Sequence, residues 1–328
     1  SWTATWNDLV PGTYIISVSN EVGGDGHWTI PTPIEVVVAQ ATDTVPYTFA
    51  TVTDVYQPGA LHVTKVVDLN GVIGTPILPN FQITITGPSY PTGNTHTFTS
   101  PSALEYTWTN LIPGDYTLTE ATLGTLWETT VPAGATVVPE NGTANAIVTN
   151  VYQPGELRIT KNIDWNDVIG SPFAPEFLIT ITGPSYPGGD TKTFNVANGY
   201  VQTWSNLIPG NYVVTEGTLG AEWHVTVPEG ATAVAAGLTA DATVTNDYVP
   251  GALHVEKIVN LNGVIGMPII PNFEITITGP SYPQGNTHSF TYPSGLEFTW
   301  THLIPGNYVV SEGTLGAEWH VTVPGGST

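Results

Sequence analysis

The sequence contains no cysteine, only five basic residues and no long apolar run. Without cysteine there can be no disulfide, no thiolate nucleophile and no cysteine-held zinc. Five Lys and Arg against 27 Asp and Glu give a net charge of −22, which sets the chain against nucleic acid and anionic membrane surfaces as partners. No apolar stretch reaches the roughly 18–20 residues that cross a bilayer as a helix, and Ser1 opens no signal-peptide pattern. The expectation is a soluble segment, with any secretion signal or anchor lying outside it. What is abundant is equally telling: 35 Gly, 28 Pro, ten Trp, fourteen Tyr and nine Phe within a 41% hydrophobic chain. Disordered chains lack the aromatic and β-branched residues that build a core, so a folded protein is expected. A length of 328 residues suits two to four modules.

Comparison of the sequence with itself shows a repeat. GALHVTKVVDLNGVIG begins at Gly59 and returns as GELRITKNIDWNDVIG at Gly155 and GALHVEKIVNLNGVIG at Gly251, a step of 96 residues each time. Trp108, Trp204 and Trp300 each precede an NLIPG- or HLIPG-type turn, and Trp127, Trp223 and Trp319 each follow a TLG turn. The repeat predicts a partial module at 1–54, complete modules at 55–150 and 151–246, and a module without its final strand at 247–328. The joints, VYQPG and YVPG, are short and Pro-Gly stiffened, so they flex less than a Gly/Ser linker.

Within each module, runs such as FQITITG, DYTLTE and NAIVTN alternate apolar with Thr-rich positions and end in Pro, Gly or Asn turns. No segment has a sustained helical period. About seven short strands per module predict an all-β fold, an immunoglobulin-like β-sandwich repeated in tandem to form a rod.

Three polar residues interrupt the apolar faces of these strands. Residues two apart in a strand share a face, so Lys65 lies with Leu61 and Val63, Lys161 with Leu157 and Ile159, and Lys257 with Leu253 and Val255. Glu120 follows Tyr116 and Leu118 on one face, Glu216 follows Tyr212 and Val214, and Glu312 follows Tyr308 and Val310. Asn150 shares a face with Val148, and Asn246 with Val244. A buried amine, carboxyl and amide are each costly unless they satisfy one another, so the three are expected to meet. Burial lowers the lysine pKa and raises that of the glutamate. A neutral amine is a nucleophile, and a protonated carboxyl can polarise the asparagine carbonyl. Lysine and asparagine held in contact could then condense to an amide with release of ammonia. The same residues would also make a buried ion pair capped by an amide, with no new bond.

This constellation resembles that of the collagen-adhesin B-type (CnaB, prealbumin-like) domains of bacterial surface adhesins and pilins. The matching motifs are LHVTK, YTLTE and AIVTN in one module and LRITK, YVVTE and ATVTN in the next. The resemblance implies spontaneous intramolecular isopeptide bonds, Lys65–Asn150 assisted by Glu120 and Lys161–Asn246 assisted by Glu216. Lys257 and Glu312 have no matching asparagine after them. Asp54 stands at the asparagine position of the leading segment, where Val18 replaces the glutamate. An intermolecular Lys257–Asp54 link, with loss of water, is therefore a second expectation, beside the plainer one of a window on a longer repeat protein.

Other features carry less. DLNG, DWND and NLNG faintly resemble calcium loops, but Asx turns suit them better, and the scattered histidines are replaced between copies. Neither a metal site nor a cofactor is expected. Asn141 opens an N-x-[ST] glycosylation sequon. The reading is a structural, non-enzymatic protein of the cell surface or extracellular space, a stalk or filament subunit associating head to tail. The alternative is an adhesin whose loops bind a host glycan or matrix protein.

Overall fold

A computed structural model describes residues 2–19, 26–42, 44, 47–323 and 325. By internal contacts they fall into two units. One comprises Ser1–Asn70 with Ile77–Gln153, and the other Gly71–Pro76 with Pro154–Thr328. Strands dominate, and the one helix among the described residues is a single 3-10 turn at Val196–Asn198.

In the first unit, two four-stranded sheets carry the module. One sheet runs in the order Trp127–Thr130, Thr143–Tyr152, Gly59–Asp68, Glu105–Leu111. The other runs Thr136–Val138, Gly114–Glu120, Asn80–Gly87, Tyr90–Thr99. The first and last strands of the module are parallel neighbours, with Lys65 opposite Val148 and Val67 opposite Asn150. Alternation decides what faces inward: Leu61, Val63, Ile83, Ile85, Tyr116 and Val148 are buried, while the threonines between them face outward or lie half-buried. Ahead of this module, Gly12–Ile16 pairs with Ile34–Val38, and Trp28–Thr29 pairs with Val55–Tyr56.

The second unit repeats the plan. Val201–Leu207, Gly155–Asp164, Thr239–Tyr248 and Trp223–Thr226 form one sheet. Tyr186–Phe194, Phe177–Gly183, Gly210–Glu216 and Ala231–Val234 form the other. Their shared core includes Leu157, Ile159, Phe177, Ile179, Trp204 and Val244, drawn from both sheets. Each complete module thus has eight strands, where the sequence suggests about seven, because the short strand before the last one pairs on the edge of its sheet. A further core, around Phe273, Ile277, Phe290 and Trp300, is built by the five strands Gly251–Glu256, Phe273–Gly279, Tyr282–Phe290, Glu297–Leu303 and Val309–Glu312.

One buried network recurs in three copies. Tyr116 donates to the Ile112 carbonyl at 2.9 Å and accepts from the Ser89 N–H at 3.0 Å, and Tyr212 and Tyr308 do the same with Ile208 and Ser185 and with Ile304 and Ser281. It fixes the turn that leads into the glutamate-bearing strand.

Candidate functional site

Lys65 and Asn150 come from the two parallel strands of one sheet, and Glu120 ends a strand of the facing sheet. Because Val148 stands opposite Lys65 and Val67 opposite Asn150, lysine and asparagine are diagonal neighbours on the inner face, within reach of a long side chain. The glutamate reaches the lysine across the sandwich. The Lys65 and Glu120 side chains are both 0% exposed, with Lys65 Nζ 3.6 Å from Glu120 Oε1. Lys161 and Glu216 are likewise 0% exposed, at 3.5 Å. Asn150 and Asn246 are fully buried.

The polar atoms of this cluster are short of partners. The Lys65 ammonium donates to the carbonyls of Val66 and Val148, each at 3.2 Å. Neither carboxyl oxygen of Glu120 accepts a hydrogen bond among the described residues, nor do Asn150 Oδ1, Glu216 Oε2 or Asn246 Oδ1. Such groups cost free energy in the interior. Burial pushes the Lys65 and Lys161 ammonium groups down to about 8, against the attraction of the neighbouring carboxylates. Burial also raises the Glu216 carboxyl above its ordinary range, opposed by Lys161 and the Asn246 amide. Around Lys161 and Glu216 the environment therefore disfavours the charged form of both partners.

Two contributors escape a reading confined to the polar residues. Lys65 Nζ sits 4.8 Å from the centre of the Phe81 ring, and Lys161 Nζ the same distance from Phe177. The signal was present, since this phenylalanine recurs ahead of every ITITG run. The second is Thr129, whose Oγ1 accepts from Asn150 Nδ2 at 2.7 Å. Its counterpart opposite Asn246 is Val225, and there the amide Nδ2 donates to Glu216 Oε1 at 3.3 Å instead.

Lys257 and Glu312 are also brought together. Lys257 Nζ donates to Glu312 Oε2 at 2.8 Å, above the Phe273 ring at 4.6 Å. The lysine side chain is 15% exposed, and the pair borders a groove of about 280 Å³ lined also by Val255, Ile275, Val310 and Val323. Asp54 is exposed just ahead of the Val55–Tyr56 strand. Val18 follows the Gly12–Ile16 strand and lies half-buried.

The DLNG-type loops form Asx turns: Asp68, Asp164 and Asn260 each accept from the backbone N–H two residues on, at 2.8–2.9 Å. No group of three or more His, Cys, Asp or Glu among the described residues is placed to hold a metal, and no helix among them is long and apolar enough to cross a membrane. Asn141 lies exposed in a turn before the last strand of its module.

Residues 157–249 match a family model described as a domain of unknown function (DUF5979). A search of curated proteins gave no match. Among solved structures, the Bacillus anthracis TIE protein aligns over 94% of this chain and 64% of its own length, with TM-score 0.56 and 16% identity. The chain thus spans just under two thirds of that protein. A single B repeat unit (B1) of the collagen-binding surface protein CNA of Staphylococcus aureus aligns over 59% of this chain and 100% of its own, with TM-score 0.25 and 20% identity. The major pilin from Streptococcus pyogenes aligns over 58% and 99%, with TM-score 0.30 and 15% identity. At 16% identity the likeness to the TIE protein is one of fold alone, a fold of all-β modules each built from two sheets.

Proposed function

We propose that this chain is a structural segment of a cell-surface or extracellular stalk or filament, made durable by self-formed isopeptide bonds Lys65–Asn150 and Lys161–Asn246. The observation that carries the reading is the buried lysine–glutamate–asparagine cluster with its unpartnered carboxyl and amide oxygens. Chemically, the neutral lysine amine attacks the side-chain carbonyl carbon of the asparagine while the protonated glutamate donates to its oxygen. A carbon–nitrogen bond to the lysine forms, the bond to the amide nitrogen breaks, and that nitrogen leaves as ammonia with the proton the lysine gives up. Each module acts on itself once, so the chemistry is maturation and not turnover. Near-identical modules with short loops favour a stalk over a ligand-specific adhesin. Fold likeness to a pilin and a collagen-binding surface protein is compatible with this setting.

The test is the intact mass of the fully denatured chain. The expected mass is short by one ammonia for each of the two complete modules, and Glu120→Ala and Glu216→Ala each restore one. The unmodified mass would leave the cluster as a hydrogen-bonded network and end the covalent reading. A further loss of water, in species of multiple chain mass, would assign the Lys257–Asp54 link between copies.

A further inference from the structure

Within the second unit one contact occurs twice. The turn Val72–Gly74 and the turn Val168–Gly170 are the same point of the repeat, and each is seated on the same surface. The Ile73 N–H donates to the Asn206 carbonyl at 2.7 Å, and the Ile169 N–H to the His302 carbonyl at 2.7 Å. Each isoleucine forms a parallel bridge, to Leu207 and to Leu303. The glycine that follows meets an isoleucine and a serine. A Cβ on Gly74 would lie 3.1 Å from Ile208 Cδ1 and 3.4 Å from Ser185 Cα, and on Gly170 the same distances from Ile304 and Ser281. Ser185 and Ser281 are buried at these seats, at 7% and 6% exposure.

Among the described residues, the third copy of the turn and the remaining complete copy of the seat are both open. Ile265 is 100% exposed, and nothing lies within 4 Å of a Cβ built on Gly266. The turn nevertheless holds the docked shape: φ is +101° at Gly266, against +98° at Gly74 and +104° at Gly170. An Asx turn at Asn260 and left-handed Asn262 fix its approach, as their counterparts do in the seated copies. The matching seat is Pro88–Ser89 with Asn110–Ile112, where Asn110 keeps the left-handed φ of Asn206 and His302 and Ile112 is 40% exposed. Both partners are thus in their docked conformations before they meet, which lowers the ordering cost of association.

We infer that the Val264–Gly266 turn docks on the Pro88–Ser89 and Asn110–Ile112 surface of a second copy of this chain, joining copies head to tail. The inference rests on the filament reading above and names its contact surfaces. A head-to-tail contact uses different faces on each partner, so it propagates instead of closing into a dimer. The test is sedimentation velocity of the whole chain across a concentration series, with Ile265→Asp and Ile112→Asp. Both substitutions fall on exposed side chains, and circular dichroism checks the fold. The wild type is expected to form a concentration-dependent ladder of oligomers, and each variant alone to sediment as a monomer. Mixed, the two variants are expected to stop at the heterodimer, because one retains the turn and the other the seat. A wild type that stays monomeric, or variants that associate as it does, would overturn the inference. The ammonia deficit in the mass of the same samples reports separately on the crosslinks.

Discussion

Asn150 and Asn246 occupy the same point of the repeat, yet their amides face different partners, and one neighbouring residue explains it. Thr129 offers a hydroxyl that holds Asn150 Nδ2, while Oδ1 accepts no hydrogen bond among the described residues. Val225 offers none, so Asn246 Nδ2 turns to Glu216, and in the proposed reaction the amide would have to rotate before its oxygen met that carboxyl. Thr129→Val is expected to slow bond formation in its module by about fivefold, the equivalent of one hydrogen bond of about 1 kcal/mol. Val225→Thr should speed the other module by a similar factor. Peptide mapping of the two bonds over time after refolding measures both. A pH dependence follows from the same cluster. The proposed reaction needs a neutral lysine beside a glutamate that can donate, so its reactive form would carry one proton on the pair. As pH rises through about 8 the lysine–glutamate pair loses that last proton, leaving a carboxylate that cannot donate. Bond formation should therefore decline above about pH 8 in the same time courses. Were lysine deprotonation the sole requirement, it would rise across that range. The lysine, glutamate and asparagine were legible in the sequence because each breaks an apolar alternation. Thr129 was not, because a threonine in a Thr-rich strand breaks no pattern.

At the scale of the element, the parallel pairing of first and last strands would give the proposed crosslink its mechanical meaning. Tension entering at Gly59 and leaving at Tyr152 would shear these two strands past one another. The proposed bond from Lys65 to Asn150 would carry the load across directly and leave residues 66–149 outside its path. It also closes a loop of 85 residue steps, which by the chain-entropy model contributes about 4–5 kcal/mol to stability. Asn150→Ala, which keeps the lysine–glutamate pair, should lower the unfolding free energy of its module by about that amount. Urea unfolding followed through the module's buried tryptophans Trp108 and Trp127 measures the change, and an unaltered midpoint would show that no bond was there to lose. Strand identity and inward faces were readable from two-residue alternation. That the first and last strands lie side by side and parallel was not, because pairing joins segments about 80 residues apart and local pattern has no term for the partner.

For the whole molecule, the interval of 96 residues at which motifs return is a property of the sequence itself. Composition set the class as well, since a cysteine-free chain rich in Thr, Gly, Pro and aromatics must gain durability from packing or from some bond other than a disulfide. The repeat did not reveal what its VIG turn was for. A short apolar turn reads the same whether it rests on its own module, on another segment, or on nothing, and only coordinates distinguish the seated Ile73 and Ile169 from the bare Ile265. The sequence by itself determined which residues are apolar, which polar ones intrude among them and at what interval they recur, because these are properties of side chains and strand period. The tertiary structure alone decided which strand lies beside which, how far Lys65 stands from Glu120 and which turn is left open, because these depend on contacts between segments distant along the chain.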